Sequence, residues 1–230
     1  MIRLRGIRHV HLGGEKMKAA NLLFDLDGTV TDPGIGITNS VMYALKKFGI
    51  EEHDREKLYK FIGPPLASSF EEYYGFSKLA AVLAVDYYRE YYSKQGIFEN
   101  QLYPGVEQML SRLQEQGKRL ILATSKPEVF AKRILEHFQL DSYFAFVSGS
   151  MLDGKRVEKA EVIAYALERC GCGKDAVMIG DRKHDVIGAR KNHLDCVGVL
   201  FGYGSRQELE EAGAKWLADD VPALERILLA

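Results

Sequence analysis

The stretch "LLFDLDGTVTD", residues 22–32, combines the pattern of a buried strand with two carboxylates. Its apolar run ends at Asp25 and Asp27, which are followed at once by Gly28 and Thr29. In a strand, side chains at positions i and i+2 point to the same face, so both carboxylates are directed at one place. An unpaired carboxylate is costly to bury. The stretch therefore predicts a cation, or a reaction that uses negative charge, at the end of this strand.

Apolar runs bounded by polar or glycine-rich turns predict further strands along the chain. With the first one they cover residues 20–25, 119–124, 143–149, 176–181 and 196–202. The segments between the later runs have apolar residues at helical spacing, as in 104–118, where they stand at 106, 109, 110 and 113. Strands that alternate with helices form βαβ units. We expect an α/β fold with a doubly wound parallel sheet, a Rossmann-like core.

The segment 34–101 interrupts this alternation, because it holds several helix-like stretches and no good strand. It predicts a small all-helical cap inserted after the first strand, with an α/β core formed by residues 17–33 and 102–230. Residues 1–16 are expected to be a flexible extension. The many tyrosines of the insert stand at helical spacing without a basic stripe, which favours packing between helices over stacking on nucleic acid.

Charge and cysteine content limit which partners and which cellular compartment are expected for the protein. Lys and Arg number 31 against 32 Asp and Glu, so the net charge of −1 gives no reason to expect nucleic acid or an anionic membrane as partner. No apolar run reaches membrane-spanning length. The 3 cysteines do not form a disulfide framework, which favours a reducing, cytoplasmic location. The sequence gives no indication of an oligomeric state.

Polar residues follow the other predicted strands where a ligand would bind, beyond their carboxyl ends. Thr124 and Ser125 follow the second strand, Asp181 follows the fourth, and Asp185 stands four residues further on. Lys159 opens the helix after the third strand. Clustered carboxylates with other oxygen ligands suit Mg²⁺. The partner expected at this edge is a small phosphorylated metabolite held with Mg²⁺.

Four short motifs in order carry a family resemblance. They are "DLDGT" (25–29), "ATSK" (123–126), a lysine at a helix start (159) and "GDRKHD" (180–185). Together they resemble the motifs of the haloacid dehalogenase-like hydrolase superfamily, and the insert is similar to the cap of its phosphoglycolate phosphatase-like and 5′-nucleotidase-like members. The likeness covers residues 18–228. It implies a Mg²⁺-dependent phosphatase that hydrolyses a small phosphomonoester, such as phosphoglycolate or a nucleotide, through an aspartyl-phosphate.

The resemblance also implies catalytic roles. Asp25 would attack phosphorus, and Asp27 would protonate the leaving oxygen and then activate water. Lys159 would neutralise Asp25 and the phosphate. The stretch "RVEKAEV" (156–162) lacks the Lys-Pro pair of many relatives, so Arg156 is an alternative to Lys159.

Binding roles follow in the same way. The metal site would consist of Asp25, Asp181, Asp185 and the backbone carbonyl of Asp27, with Asp185 holding the metal-bound waters or orienting Lys159. Backbone amides of Gly28 and Thr29 would approach the phosphate oxygens. The hydroxyl of Thr124 would bind phosphate with help from Ser125. Residues 125–128 also have the pattern of a helix capping box, which is a purely structural explanation for Ser125.

Two other functions stay open on the same residues. A sugar-phosphate mutase similar to β-phosphoglucomutase would keep the same core, and its distinguishing residues would lie in the cap. A phospho-aspartate signalling switch would share the acidic pair, a hydroxyl and a lysine, although the large insert disfavours it. A dehalogenase does not need the second acid, Asp27. The segment 60–70, with Pro64 and Pro65, is the stretch of the cap most suggestive of substrate contact.

Overall fold

The structure, a computed structural model, describes residues 17–173 and 175–230. The extension predicted for residues 1–16 lies outside the described residues. The strands in chain order are β1 (Asn21–Phe24), β2 (Thr31–Asp32), β3 (Gln101–Leu102), β4 (Arg119–Pro127), β5 (Phe146–Ser150), β6 (Ala176–Gly180), β7 (Asp195–Val199) and β8 (Trp216–Ala218). The helices are α1 (Gly34–Lys47), α2 (Arg55–Leu58), α3 (Leu66–Tyr74), α4 (Lys78–Tyr91), α5 (Val106–Glu115), α6 (Glu128–His137), α7 (Lys159–Cys170), α8 (Lys183–Lys191), α9 (Arg206–Ala212) and α10 (Val221–Leu228).

A parallel sheet of six strands, in the order β5-β4-β1-β6-β7-β8, forms the centre of the described chain. The chain starts in the middle at β1, builds outward through β4 and β5, and then crosses to β6 on the other side. The edge beside β1 is therefore the topological switch point, where ligands bind in such sheets. The predicted doubly wound parallel sheet is confirmed.

Both faces of the sheet are covered. Leu22, Leu23 and Phe24 in β1 have no exposed surface. Leu22 and Phe24 belong to one apolar cluster and Leu23 to another, as alternating side chains of a central strand must. Burial on both faces explains why the strands read as continuous apolar runs.

Some predicted boundaries differ from the structure. The strand expected at 143–149 begins at Phe146, because Asp141–Tyr143 forms a 3₁₀ turn. The second strand extends past residue 124 to Pro127, with a shift of register against β5 after Ala123. The short strand β8 has no counterpart in the prediction. β8 has only 3 residues and lies beside charged residues, so its sequence shows too little alternation for a strand to be predicted.

The helical insert, residues 34–101, contains α1 to α4 and a π-helical turn, Tyr92–Gly96, directly after α4. Its aromatic rings pack against each other: the ring of Phe61 contacts those of Phe70, Tyr73 and Tyr74. The antiparallel pair β2 and β3 brings the two ends of the insert together, with Thr31 opposite Leu102. The division into domains at 33/34 and 101/102 stays a prediction.

None of the helices in the described part of the chain is long and apolar enough to cross a membrane.

Candidate active site

Three carboxylates come together at the carboxyl edge of the sheet. Asp25 follows β1, Asp181 follows the neighbouring β6, and Asp185 lies in the first turn of α8. One oxygen of each lies within 4.8 Å of one oxygen of the others, and all three residues are buried. The backbone N–H of Asp25 donates to the carbonyl of Ile179 at 2.9 Å, which keeps the two strand ends in register. The sequence prediction placed these same three residues at one edge.

Lys159, the first residue of α7, is the cation of this cluster. Its Nζ lies 2.9 Å from Asp25 Oδ1 and 2.8 Å from Asp185 Oδ1, and it donates to the Ala123 carbonyl at 3.1 Å. Burial lowers the pKa of Lys159, but the carboxylates of Asp185 and Asp25 outweigh this effect, so the pKa lies above its ordinary value. The lysine is therefore charged and spans two of the three carboxylates.

Arg156, the alternative to Lys159, has other partners. Its Nε donates to the Gly149 carbonyl at 2.8 Å, and its guanidinium pairs with Glu128 at 3.2 Å and lies over the ring of Tyr165. Lys159 and not Arg156 thus contacts Asp25 in the structure.

Asp181 gives the strongest indication that the cluster suits a metal ion. Its Oδ2 accepts from the Tyr203 N–H at 2.7 Å, whereas its Oδ1 is buried without a hydrogen-bond partner among the described residues. Burial raises the pKa of Asp181 well above its ordinary value, and the nearby charges of Asp185 and Asp25 add to the effect. An unpartnered buried oxygen among three carboxylates is a donor set that fits Mg²⁺, with Asp25, Asp181 and Asp185 as side-chain ligands.

Asp27 is separated from this cluster by its partners. Its Oδ2 lies 2.7 Å from Nζ of Lys126, and its Oδ1 has no hydrogen-bond partner among the described residues. Burial raises the pKa of the Asp27 carboxyl, and the ion pair with Lys126 opposes that effect without cancelling it. A carboxyl with a raised pKa is suited to donate a proton. The side chain of Asp27 is therefore equipped for proton transfer and not for metal binding.

Gly28 has a conformation that other residues adopt only with strain. Its φ is +83°, and a Cβ added there would lie 2.1 Å from Asp181 Oδ2. The amide role predicted for Gly28 and Thr29 differs from the structure, because the Gly28 N–H donates to Thr31 and the Thr29 N–H to Leu26. Both amides are engaged inside the turn. Gly28 instead allows Asp181 to approach the backbone, and the buried Thr29 hydroxyl lacks a partner among the described residues.

Thr124 and Ser125 lie in the wall of the cavity beside Asp25 and Asp27. The hydroxyl of Thr124 accepts from the Lys126 N–H at 3.2 Å. The predicted capping box is wrong: α6 begins after Pro127 and has no side-chain cap. The side chain of Ser125 is therefore not committed to the helix and remains available to a ligand.

A loop after β7 supports Asp181 and was assigned no chemistry in the sequence prediction. Tyr203 donates its N–H to Asp181, and its hydroxyl donates to Asp32. A Cβ on Gly204 would lie 1.8 Å from the Asp181 carbonyl oxygen, so the loop passes Asp181 at close range. In the sequence, only the glycines on either side of Tyr203, Gly202 and Gly204, indicate a functional loop here. Glycine-rich turns are common at strand ends, so this indication is weak.

A cavity of about 450 Å³ lies between the sheet edge and the helical insert. Asp25, Asp27 and Lys126 lie on its sheet side. Its remaining wall is mainly apolar and includes Ile37, Phe61, Leu66, Val85, Tyr88 and Phe130. Pro64 and Pro65 line it too, which supports substrate contact by the segment 60–70.

Arg182 connects that segment to the carboxylate cluster. Its guanidinium donates to the Ile62 carbonyl, and its Nε lies 3.0 Å from Glu208 Oε1. Gly63, at φ +105°, lies directly against the Arg182 side chain. The residue next to Asp181 thus holds the loop that covers the cavity.

The chain is similar to known proteins over most of its length. The family model described as haloacid dehalogenase-like hydrolase matches residues 22–199. A Pseudomonas aeruginosa protein named 5′-nucleotidase is 44% identical over 213 residues, which cover 92% of this chain and 96% of that protein. A Mycobacterium tuberculosis protein named tyrosine-protein kinase PtkA is 38% identical over 185 residues, covering 80% of this chain and 62% of that protein. A crystal structure described as a "predicted phosphatase" from Clostridium acetobutylicum has a TM-score of 0.89 at 51% identity, covering 90% of this chain and 97% of that one.

Proposed function

The chain belongs to the haloacid dehalogenase-like hydrolase family, and from that premise we propose a Mg²⁺-dependent phosphatase that hydrolyses a 5′-nucleotide or similar phosphomonoester through an aspartyl-phosphate. One observation carries the proposal. The Asp25 carboxylate pairs with Lys159 and lies within 4.8 Å of two further carboxylates, at a cavity that is also lined by the separately paired Asp27. The site therefore holds a nucleophile, a separate proton-transfer group and ligands for a cation.

The first step would transfer the phosphoryl group to Asp25. A carboxylate oxygen of Asp25 attacks phosphorus while the bond to the ester oxygen breaks, and Asp27 gives its proton to that oxygen as the alcohol leaves. Lys159 pairs with Asp25 and holds its orientation. The hydroxyls of Thr124 and Ser125 bind phosphate oxygens from the cavity wall.

The second step would release the phosphate. The Asp27 carboxylate accepts a proton from a water molecule, whose oxygen attacks phosphorus while the bond to Asp25 breaks. Inorganic phosphate leaves and both aspartates return to their initial states. Mg²⁺, held by Asp25, Asp181, Asp185 and the Asp27 carbonyl, would supply positive charge against the phosphate oxygens.

The cavity favours a nucleotide over phosphoglycolate. A volume of about 450 Å³ with apolar and aromatic walls suits a group of nucleoside size. Phosphoglycolate is smaller, and its carboxylate would need a free cation. Lys126, a buried cation in the cavity wall, is already paired with Asp27. The 44% identical relative is itself named 5′-nucleotidase, which supports the same choice.

The test is phosphate release from 5′-nucleotides, phosphoglycolate, sugar phosphates and an aryl phosphate, with Mg²⁺ and with a chelator. We expect Mg²⁺-dependent turnover that is fastest on 5′-nucleotides and is lost in Asp25→Asn. Isomerised sugar phosphate without phosphate release would instead indicate the mutase. A phosphoenzyme that persists for hours without turnover would indicate the signalling switch.

A further inference from the structure

Lys126 is a buried lysine that the proposed mechanism does not yet use. It is 8% exposed, and its Nζ lies 2.7 Å from Asp27 Oδ2. The same Nζ donates to the Tyr92 hydroxyl at 2.6 Å and lies 4.6 Å from the centre of the Tyr92 ring. A buried ammonium is tolerated only when it is well paired. Asp27 and Tyr92 therefore hold the Lys126 ammonium in place, and the ammonium in turn holds their side chains in place.

The backbone around Lys126 is constrained on both sides. The Lys126 N–H donates to the Thr124 hydroxyl, and Pro127, whose ring fixes its own φ, follows. The register between β4 and β5 shifts between Ala123 and Pro127, which is where Lys126 leaves the regular ladder. This local irregularity directs the lysine toward Asp27, and a sequence pattern does not reveal it.

Tyr92 belongs to the helical insert and not to the sheet. It is 2% exposed and begins the π-helical turn that follows α4. Its ring stacks on Tyr88 at 5.2 Å and meets the edge of Phe130 at 5.6 Å. Single π-helical turns are frequent at functional sites. The chain of contacts Asp27–Lys126–Tyr92 thus runs from the strand end into the insert.

We propose that Lys126 is a positioning residue for Asp27 and that Tyr92 holds Lys126 in place from the insert. The ammonium fixes Oδ2 of Asp27, which leaves Oδ1 as the oxygen that gives its proton to the leaving group. Oδ1 is the Asp27 side-chain oxygen without a hydrogen-bond partner among the described residues. This inference rests on the proposed function, because it assigns how that function's acid is oriented.

The test uses a series of ring-substituted phenyl phosphates, which share one shape and differ in how readily the phenoxide leaves. A misplaced acid slows poor leaving groups much more than good ones, because a good leaving group departs without a proton. In Lys126→Met we expect kcat to fall about 10²-fold for the poorest leaving group and less than about 10-fold for 4-nitrophenyl phosphate. Asp27→Asn should show the same selectivity, and the double variant should lose little more.

Milder variants keep the test decisive if Lys126→Met does not fold. Tyr92→Phe removes only the hydroxyl that accepts from Lys126, and Lys126→Arg keeps the charge. We expect Tyr92→Phe to lose kcat selectively for poor leaving groups, and Lys126→Arg to retain more activity than the methionine variant. Lys132→Met is the matched control, since Lys132 is exposed on α6 and pairs only with Glu128 among the described residues. It should match the wild type.

The outcomes separate this inference from the proposed function. An equal loss of kcat across the series, or a change in KM alone, would overturn the positioning role and indicate that Lys126 binds substrate or only supports the fold. Wild-type leaving-group dependence in both Tyr92→Phe and Lys126→Arg would also overturn it. A wild-type protein that hydrolyses none of the phosphomonoesters would refute the proposed function itself.

Discussion

Asp25 and Asp27 stand two residues apart at the end of β1, yet each has its own lysine. Lys159 pairs with Asp25 and Lys126 pairs with Asp27. The lysines come from different elements, so the two carboxylates are held by independent contacts. Two acids in separate environments perform different tasks more readily than two acids that share one proton.

Replacing Lys159 with methionine tests the charge balance of the three-carboxylate cluster and its proposed role as a metal site. The change leaves Asp25 and Asp185 without their cation, and breaking a buried pair in this way destabilises by about 3–5 kcal/mol. We expect a lower Tm without metal and a larger rise in Tm with millimolar Mg²⁺ than in the wild type, because a cation then replaces the lost charge. Thermal unfolding with Mg²⁺ and with chelator measures both. A wild type whose Tm does not respond to Mg²⁺ would contradict the assignment of the cluster as a metal site.

The second prediction concerns Gly28, and Gly117 serves as its control position. Both have positive φ, +83° and +75°, but a Cβ would strike Asp181 at Gly28 and would meet nothing within 4 Å at Gly117. Gly117→Ala should lose about 1–2 kcal/mol of stability from backbone strain and keep full turnover. Gly28→Ala should lose turnover and the response of Tm to Mg²⁺. Equal phosphatase activity in the two variants would show that contact with Asp181 is unimportant.

Single residues could be predicted from the sequence when a strand end determined their place. Asp25, Asp181 and Asp185 follow apolar runs or open the next helix, so parallel strands must bring them to one edge. Lys126 and Tyr203 could not be predicted in this way. The position of Lys126 depends on a register shift, and that of Tyr203 on how a loop closes.

The first helix and the π-helical turn contact each other backbone to backbone. A Cβ on Gly36 would lie 1.9 Å from the Gly96 carbonyl oxygen, and one on Gly96 would lie 2.6 Å from the Ser40 hydroxyl. No flexible side chain can move aside at the first of these contacts. The spacing of α1 from the turn that presents Tyr92 is therefore set by glycine.

Gly36→Ala should separate these two elements. We expect a loss of about 1–3 kcal/mol in the free energy of unfolding, as for other overpacked sites, and lower turnover because Tyr92 moves. Denaturant unfolding measures the first effect and phosphate release the second. The neighbouring Ile35 is 56% exposed, so Ile35→Ala should change stability by less than about 0.5 kcal/mol. An unchanged unfolding midpoint in Gly36→Ala would show that the contact relaxes freely.

Regular elements were predicted better than the irregular ones. Continuous apolar runs identify strands buried on both faces, and helical spacing identifies the insert. The π-helical turn, the 3₁₀ turn at Asp141–Tyr143 and the pair β2–β3 arise from packing between distant parts of the chain. A local pattern does not contain that information.

At the scale of the whole molecule, the sheet and the insert meet across the cavity. Arg182 is one of the residues that join them: its guanidinium donates to the Ile62 carbonyl of the insert, while Glu208 of α9 pairs with its Nε. The sequence predicts substrate contact by the segment 60–70, but it does not predict how the insert is held over the strand ends. This placement depends on contacts such as the one from Arg182 to Ile62, between residues 120 positions apart.

Arg182→Lys should loosen the loop that covers the cavity, because an ammonium cannot reproduce the planar fork that serves two partners. We expect KM for a 5′-nucleotide to rise about 10-fold, equivalent to about 1.4 kcal/mol of lost binding, with a smaller change for a compact aryl phosphate. Steady-state kinetics on both substrates measures the difference. Arg206→Lys changes an exposed arginine that pairs with Asp219 and serves as control. An equal rise in KM for both substrates would mean that Arg182 acts on the phosphate end.

The pair β2–β3 has a consequence for how such a chain can be rebuilt. Because Thr31 and Leu102 are bonded neighbours, the insert leaves and re-enters the fold at nearly one point. A transplanted helical module of different shape would need to match that junction and to supply partners for Lys126 and Arg182 in place of Tyr92 and Ile62. Asp25, Asp181, Asp185 and Lys159 all lie outside the insert, so this cluster would stay in place while the exchanged module redefines which molecules enter.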